Sequence, residues 1–402
     1  MDIIEKDRCT GCGLCKNICP QKCITMKENE EGFLYPNVDE KKCINCNACK
    51  KNCPVLNFPK LDNEYVEKHV YCAIHKDSNV WKKSSSGGAF TAICQAFGNK
   101  NTIIFGAEFY KKKIRHSYYE GINNIEKLHQ SKYVQSNIED TFIQIKEMVK
   151  NGKKIIYSGC PCQVGAMRNY LRNFDTSNIL FIDLICHGVG SPGLFEKYLD
   201  YLEEKKQAKI CDFTFRNKKM TNGIHKTYIT KIKYDNNSIN TDENNLYSNL
   251  FFQKIICRKS CDNCVFAQKN RMGDITIADF KKLYEVFPDF KFNKNASTVI
   301  LNTKKADLLI DKLNEFMYMY PCDISCIEKN NPLFVKKTNN TNIEKRKKFW
   351  KEIRNSDDIY NTMKKYKNRI TIVKKVKSNI PDRIKAKIKI LKHNRRKIER
   401  WR

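Results

Sequence analysis

The feature that most constrains this chain is a cysteine pattern that occurs twice within its first 58 residues. Cys9, Cys12, Cys15 and Cys19, followed by Pro20, space as C-x2-C-x2-C-x3-C-P, and Cys43, Cys46, Cys49 and Cys53, followed by Pro54, repeat the pattern in full. Three thiolates two residues apart wrap one iron–sulfur cube, while the proline turn carries the fourth thiolate to a neighbouring cube. The expected ligand sets are therefore crossed: Cys9, Cys12, Cys15 and Cys53 on one 4Fe-4S cluster, Cys43, Cys46, Cys49 and Cys19 on the other. Zinc is the alternative for Cys-x2-Cys pairs, but zinc sites rarely string four cysteines together ahead of a proline. Cys23 is a ninth cysteine in this region and is expected as a packed thiol.

At 402 residues the chain is long enough for two or three domains with a sizeable core, so its 20 cysteines are not needed as disulfides. They fall in tight clusters with no signal peptide ahead of Cys9, which predicts metal ligation in a reducing, cytoplasmic setting. No run of about 18 apolar residues occurs, so no membrane span is expected. The net charge of +31 is uneven: residues 364 to 402 hold 17 Lys or Arg against Asp382 and Glu399. No reading module accompanies that charge, so nucleic acid is not an expected partner. Contact of the tail with an acidic membrane surface or an acidic partner stays open, beside a plain solvated helical extension.

The expected fold is α+β. A small bacterial-type dicluster ferredoxin domain (1–58) precedes a mixed α/β domain in two parts (70–150 and 151–345) and a basic helical tail (346–402) interrupted by Pro381. Apolar strands begin near Thr102, Lys154, Asn178 and Ser297 and alternate with amphipathic stretches. Lys226 to Asn240 alternates like an exposed hairpin, with Asp235, Asn236 and Asn237 as its turn.

Within the larger domain, Ser85, Ser86, Gly87 and Gly88 precede a stretch with helical spacing. A turn of this kind presents backbone N–H groups to a phosphate or a flavin ring, or merely caps the helix. Ser131, Lys132 and Tyr133 form a second candidate contact of the same kind. Cys160-Pro161-Cys162 follows a buried strand and opens a helix, where the helix dipole favours thiolate. Cys257, Cys261 and Cys264 make a C-x3-C-x2-C run that supplies three ligands to a cube needing four. Cys186, at the end of a buried strand and next to Gly188, is the first candidate for the fourth, Cys162 the second and Cys160 the third. Zinc held by three cysteines and a histidine such as His187 is the alternative. His187 is also the least poor acid–base candidate.

Taken in order, these segments resemble the family of coenzyme F420 hydrogenase and dehydrogenase beta subunits, in its bacterial form with a fused ferredoxin domain. The resemblance covers roughly residues 1 to 350 and rests on Ser85-Ser86-Gly87-Gly88, Ser131 to Ser136, Gly159 to Gln163, Cys186-His187-Gly188, Phe215 to Lys218, the Cys257 to Cys264 run, and Asp274 to Phe280. It implies FAD and a third 4Fe-4S cluster in the larger domain. It also implies an oxidoreductase that moves electrons between clusters and flavin, with a ferredoxin-like carrier or a partner enzyme on the other side. Lys281 and Lys282 stand where the family has Trp-Gly, and Asn295-Ala296-Ser297 replaces a stretch that usually contains Gly, so use of the deazaflavin coenzyme is not carried over. An electron-transfer subunit without its own substrate, serving a partner such as a polysaccharide-assembly enzyme, is the other reading.

Overall fold

The short spacings between the N-terminal cysteines leave room for little regular structure around them. The computed structural model describes residues 2–61, 68–221, 224–292, 294–335, 342–368, 380, 383–389 and 391. Each cysteine run turns into a single-turn helix, α1 (Leu14–Ile18) and α2 (Ala48–Asn52), entered through a left-handed residue, Gly13 at φ 74° and Asn47 at φ 57°. Between them β1 (Ile24–Glu28) and β2 (Leu34–Val38) form an antiparallel hairpin, Met26 facing Pro36. So small a unit cannot bury a core of its own. Leu14 instead packs among large-domain residues such as Phe142, Val164 and Met167.

The larger domain runs through β3 (His69–His75), α3 (Ser78–Lys83), α4 (Ala89–Phe97), β4 (Ile103–Tyr110), β5 (Lys113–Glu120), α5 (Thr141–Lys150), β6 (Ile155–Ser158), α6 (Pro161–Tyr170), β7 (Ile179–Leu184) and α7 (Pro192–Lys206). It continues with β8 (Ile210–Thr221), β9 (Ile224–Tyr234), β10 (Ile239–Asp242), α8 (Leu246–Phe252), β11 (Ile275–Asp279), β12 (Ser297–Leu301) and β13 (Met317–Pro321). Eight strands form one mixed sheet in the order β13-β3-β12-β11-β7-β6-β4-β5. Its centre, β11-β7-β6-β4, is parallel and its flanks are antiparallel. A parallel centre must be covered on both faces. Alternate residues of the central strands accordingly pack either with α4 and helix Ile310–Phe316, as Ile156, Leu180 and Ile182 do, or with α5 and α6, as Ile155, Tyr157 and Phe181 do. Because β3 pairs with β12 and β4 with β6, the segments expected as 70–150 and 151–345 build a single sheet.

A second, three-stranded antiparallel sheet, β10-β9-β8, carries the hairpin read from the sequence, with Asn237 at φ 62° in its turn. This sheet packs with α7 and α8 around a core of Phe195, Phe213, Tyr247 and Phe251 that also contains Phe349, Trp350, Met363 and Tyr366. The last four belong to helices Ile343–Arg354 and Ile359–Tyr366. The expected tail boundary at residue 346 is therefore corrected: it cuts a core helix, and the chain leaves the packed body only after Tyr366. Pro381 and most of the basic stretch lie outside the described residues. Among those described, no helix is long and apolar enough to cross a membrane.

Candidate iron–sulfur and cofactor site

The two N-terminal runs fold so that their fourth cysteines change places. Cys9, Cys12, Cys15 and Cys53 line one small cavity, and Cys19, Cys43, Cys46 and Cys49 line another, which are the crossed sets expected from the spacing. Among the described residues no three His, Cys, Asp or Glu side chains converge tightly enough for a single metal ion. Thiols standing around a space suit a cube of iron and sulfide better than one zinc ion. Cys23 needs a correction: it is buried, as a packed thiol would be, but it lines the second cavity with its sulfur 3.3 Å from that of Cys19.

In the larger domain three loops bring six cysteines together. Gly188, at φ 111°, lies so close that a Cβ there would stand 3.4 Å from Cys257 Sγ and 3.4 Å from Cys261 Cβ, so the Cys186-His187-Gly188 turn sits directly on the C-x3-C-x2-C loop. Cys186 Sγ is 3.8 Å from Cys160 Sγ and accepts from the Gly188 N–H at 3.4 Å. Cys162 feels the charges of Cys264, Cys186 and Cys261. Six sulfurs are two more than one cube requires. Cys160 caps α6, and Gln163 Oε1 accepts from its N–H at 3.0 Å. The helix dipole nevertheless fails to hold the Cys-Pro-Cys thiols as thiolates. The bond to Cys186, then burial, pushes Cys160 well up, and burial does the same to Cys162. Cys186 moves the other way, down to about 7, through its bond with Cys160 and, against its burial, through Gly188 and the Arg271 charge. Arg271 itself is buried, donating to Leu184 O at 2.6 Å and pairing with Asp183 at 3.1 Å.

The carboxyl ends of β6, β7 and β11 open onto a cavity of about 710 Å³. Ligands of open α/β sheets bind at this end of the strands, and a cavity of this size takes a cofactor. Its lining joins Ser85, Ser86, Gly88, Ser131, Lys132 and Tyr133 to Cys160, Cys186 and His187. The two hydroxyl loops are tied together, since Ser131 N donates to Ser85 Oγ at 2.9 Å. Gly88, at φ 92°, is the N-cap of α4. Gly87 is the exception among the expected cofactor contacts: it faces the sheet, where an added Cβ would lie 2.2 Å from Ala73 O and 2.5 Å from Ser297 N, so its part is to let the loop dock on β3 and β12.

Burial dominates the electrostatics of the lining. Lys132 is pushed down to about 7, with Nζ donating to Lys127 O at 3.1 Å and His129 O at 2.5 Å. His187 falls to about 4, through burial first and the Lys281 charge second, so its imidazole is neutral near pH 7. Tyr133 stacks on Phe251 with ring centres 4.7 Å apart. Sequence reasoning missed two further features. His116 donates from Nε2 to Ser158 O at 3.0 Å, which leaves its buried Nδ1 as an acceptor without a protein partner. Arg216 grips Asp279 with Nη1 at 2.9 and 2.7 Å, and Tyr228 donates to the same carboxylate at 3.1 Å. Both Arg216 and Asp279 lie in motifs quoted from the sequence, but their pairing spans two sheets and has no local signal. An unpaired buried acceptor, hydroxyl loops and aromatic walls together fit a cofactor that carries both ring and polar groups.

Comparison with known proteins follows the same division. Residues 152–326 match the model for the C-terminal part of the coenzyme F420 hydrogenase/dehydrogenase beta subunit, and residues 8–57 match that of a 4Fe-4S dicluster domain. The F-type subunit of the F(420)H(2) dehydrogenase from Methanosarcina mazei is 22% identical over 192 residues, which cover 46% of this chain and 55% of that protein. The chain thus spans about half the length of the curated relative it matches. Among solved structures, a chain of the F420-reducing NiFe hydrogenase complex from Methanosarcina barkeri, studied by xenon derivatisation, aligns at a TM-score of 0.42 and 16% identity, covering 76% of this chain and 94% of that one.

Proposed function

Because the chain belongs to the family of coenzyme F420 hydrogenase/dehydrogenase beta subunits through residues 152–326 and carries a 4Fe-4S dicluster domain at residues 8–57, we propose that it is an iron–sulfur flavoprotein oxidoreductase. Its ferredoxin-type clusters and a third cluster exchange electrons with an FAD in the large cavity, and a ferredoxin-like carrier or a partner enzyme stands outside. One observation carries this reading. The loops Ser85–Gly88 and Ser131–Tyr133 line the same cavity as Cys160 and Cys186, so a flavin there would lie beside the third set of thiols. When bound, FAD supplies two-electron hydride chemistry on one side and single-electron exchange on the other.

The chain's own residues hold and insulate this site. Cys186, drawn toward thiolate, completes the set of Cys257, Cys261 and Cys264. Tyr133 and Phe251 form an aromatic wall, and His116 Nδ1 accepts from the cofactor's edge. At the other end of the route, Cys46 is exposed while Cys9 and Cys12 are buried, so electrons pass the surface at the second cluster. The neutral His187 holds no proton to donate near pH 7. That favours, as the second reading, an electron-transfer subunit with no substrate of its own.

Anaerobic purification followed by iron, sulfide and flavin analysis tests the proposal. About twelve irons per chain, four for each of three clusters, and one FAD are expected. Gly87→Val, whose side chain would collide with the Ala73 and Ser297 backbone, should displace the serine loop and release flavin while iron stays bound. Wild type that takes up no flavin under reducing conditions refutes the flavin reading. Turnover with reduced carrier alone marks an enzyme, and turnover only with an added partner marks a subunit.

A further inference from the structure

We infer that Arg258 sets the reduction potential of the cluster held by Cys9, Cys12, Cys15 and Cys53, making it the preferred electron station between the exposed second cluster and the larger domain. The inference rests on the cluster reading above. Arg258 belongs to the larger domain, directly after Cys257, yet its side chain reaches into the N-terminal domain and is 0% exposed. Nε donates to Cys9 O at 2.7 Å, Nη1 to Gln135 Oε1 at 3.0 Å, and Nη2 both to Leu34 O at 3.1 Å and to the Cys9 sulfur at 3.7 Å. The guanidinium lies over the Tyr35 ring, 4.0 Å from its centre. Gly11 is what lets it enter, since a Cβ there would stand 2.7 Å from Nη1.

A buried guanidinium is stable only with a counter-charge, because removing it from water is expensive. Its carbonyl and amide acceptors are neutral. The acidic side chains of this interface are engaged elsewhere, Glu31 with Arg346 and Asp7 with Lys259. The remaining partner is the Cys9 sulfur, which as a cluster thiolate supplies the negative charge. Net charge and hydrogen bonds to the sulfurs tune the potential of such a cluster. Reduction adds one negative charge to the cube, and a fixed cation bonded to its ligand stabilises the reduced form more than the oxidised one. The potential of this cluster therefore rises relative to that of the exposed one, and transfer toward the larger domain runs downhill. Gln135 joins the arrangement to the cofactor side: its amide donates to Thr10 O at 2.9 Å, and it follows Tyr133 and Val134, which line the large cavity.

The test is an anaerobic redox titration of the full chain, followed by paramagnetic resonance of the reduced clusters, with iron and sulfide measured on every sample. In Arg258→Met one cluster should shift to a more negative midpoint while the others hold. Arg258→Lys, which keeps the charge and loses the planar fork, should shift less. Gln135→Glu, which sets a carboxylate against the guanidinium and so spends its charge, should shift the same cluster in the same direction. That variant decides the matter if Arg258→Met does not fold. A full complement of iron with unshifted potentials in the variants overturns the role of Arg258 alone. Wild type without iron and sulfide in the N-terminal domain overturns the cluster reading on which it rests.

Discussion

Phe349 measures whether the C-terminal helices belong to the working body of the protein. Its side chain is 0% exposed and meets Trp350 and Tyr366 edge to face, at ring-centre distances of 5.3 and 5.2 Å. The same helix anchors the third thiol set, because Arg346 donates to Cys257 O at 3.1 Å while pairing with Glu31 of the N-terminal domain. Phe349→Ala removes a buried ring and leaves a hole that rigid neighbours cannot close, at a cost of about 3–5 kcal/mol. Against a domain stability of about 5–15 kcal/mol, this is a large fraction. Denaturant unfolding followed by circular dichroism should show that loss, and iron should leave the third site at lower denaturant than in wild type. A chain ended after residue 368, which removes most of the basic stretch but keeps both helices, should unfold like wild type with unchanged iron. Phe349→Ala costing under about 1 kcal/mol, the range of surface changes, would refute the packing argument.

The fourth ligand of the third cluster is decided by separate Cys186→Ser and Cys162→Ser variants: loss of about four irons only in the former is expected, and full iron in both would remove the four-cysteine site. For the buried lysines the sign is set by protons. Lys132, at about 7 in the folded chain against an ordinary 10.5, binds fewer protons folded than unfolded across that window, so its contribution to stability rises with pH from about 7 to 10.5. Lys218, lowered to about 6 by burial, acts in the same sense. Unfolding free energy should accordingly increase less between pH 7.5 and 9.5 in Lys132→Met than in wild type, and an equal increase in both would show that Lys132 is not buried as described.

Local chemistry was legible wherever the ligand geometry is written in short spacings. Two residues between thiols fix how three of them can face one cube, and a proline fixes where the fourth goes, so Cys9 to Cys53 sort themselves before any fold is known. A Gly-rich turn before a helix, a strand that runs into Cys-Pro-Cys, and Asp235 to Asn237 in a hairpin are likewise short-range statements. They required only the conformations that a few consecutive residues can adopt.

Long-range packing decided the rest. The direction in which Gly87 faces depends on β3 and β12 meeting, which brings Ala73 next to Ser297. The convergence of Cys160, Cys186 and Cys257 depends on three strand ends sharing one sheet edge. Phe349 and Trp350 read as part of a lysine-rich tail because the amphipathic pattern of helix Ile343–Arg354 says that one face is apolar, not what covers it. Arg258 is the extreme case. In sequence it is one more basic residue beside a cysteine, and only the approach of the N-terminal domain, permitted by the missing side chain of Gly11, turns it into a fully buried cation bonded to the sulfur of a residue 249 positions away. Sequence spacing determines which atoms can bind a cluster, because ligation is local; tertiary structure determines the charge and burial around it, because those fields are summed over every segment that packs nearby.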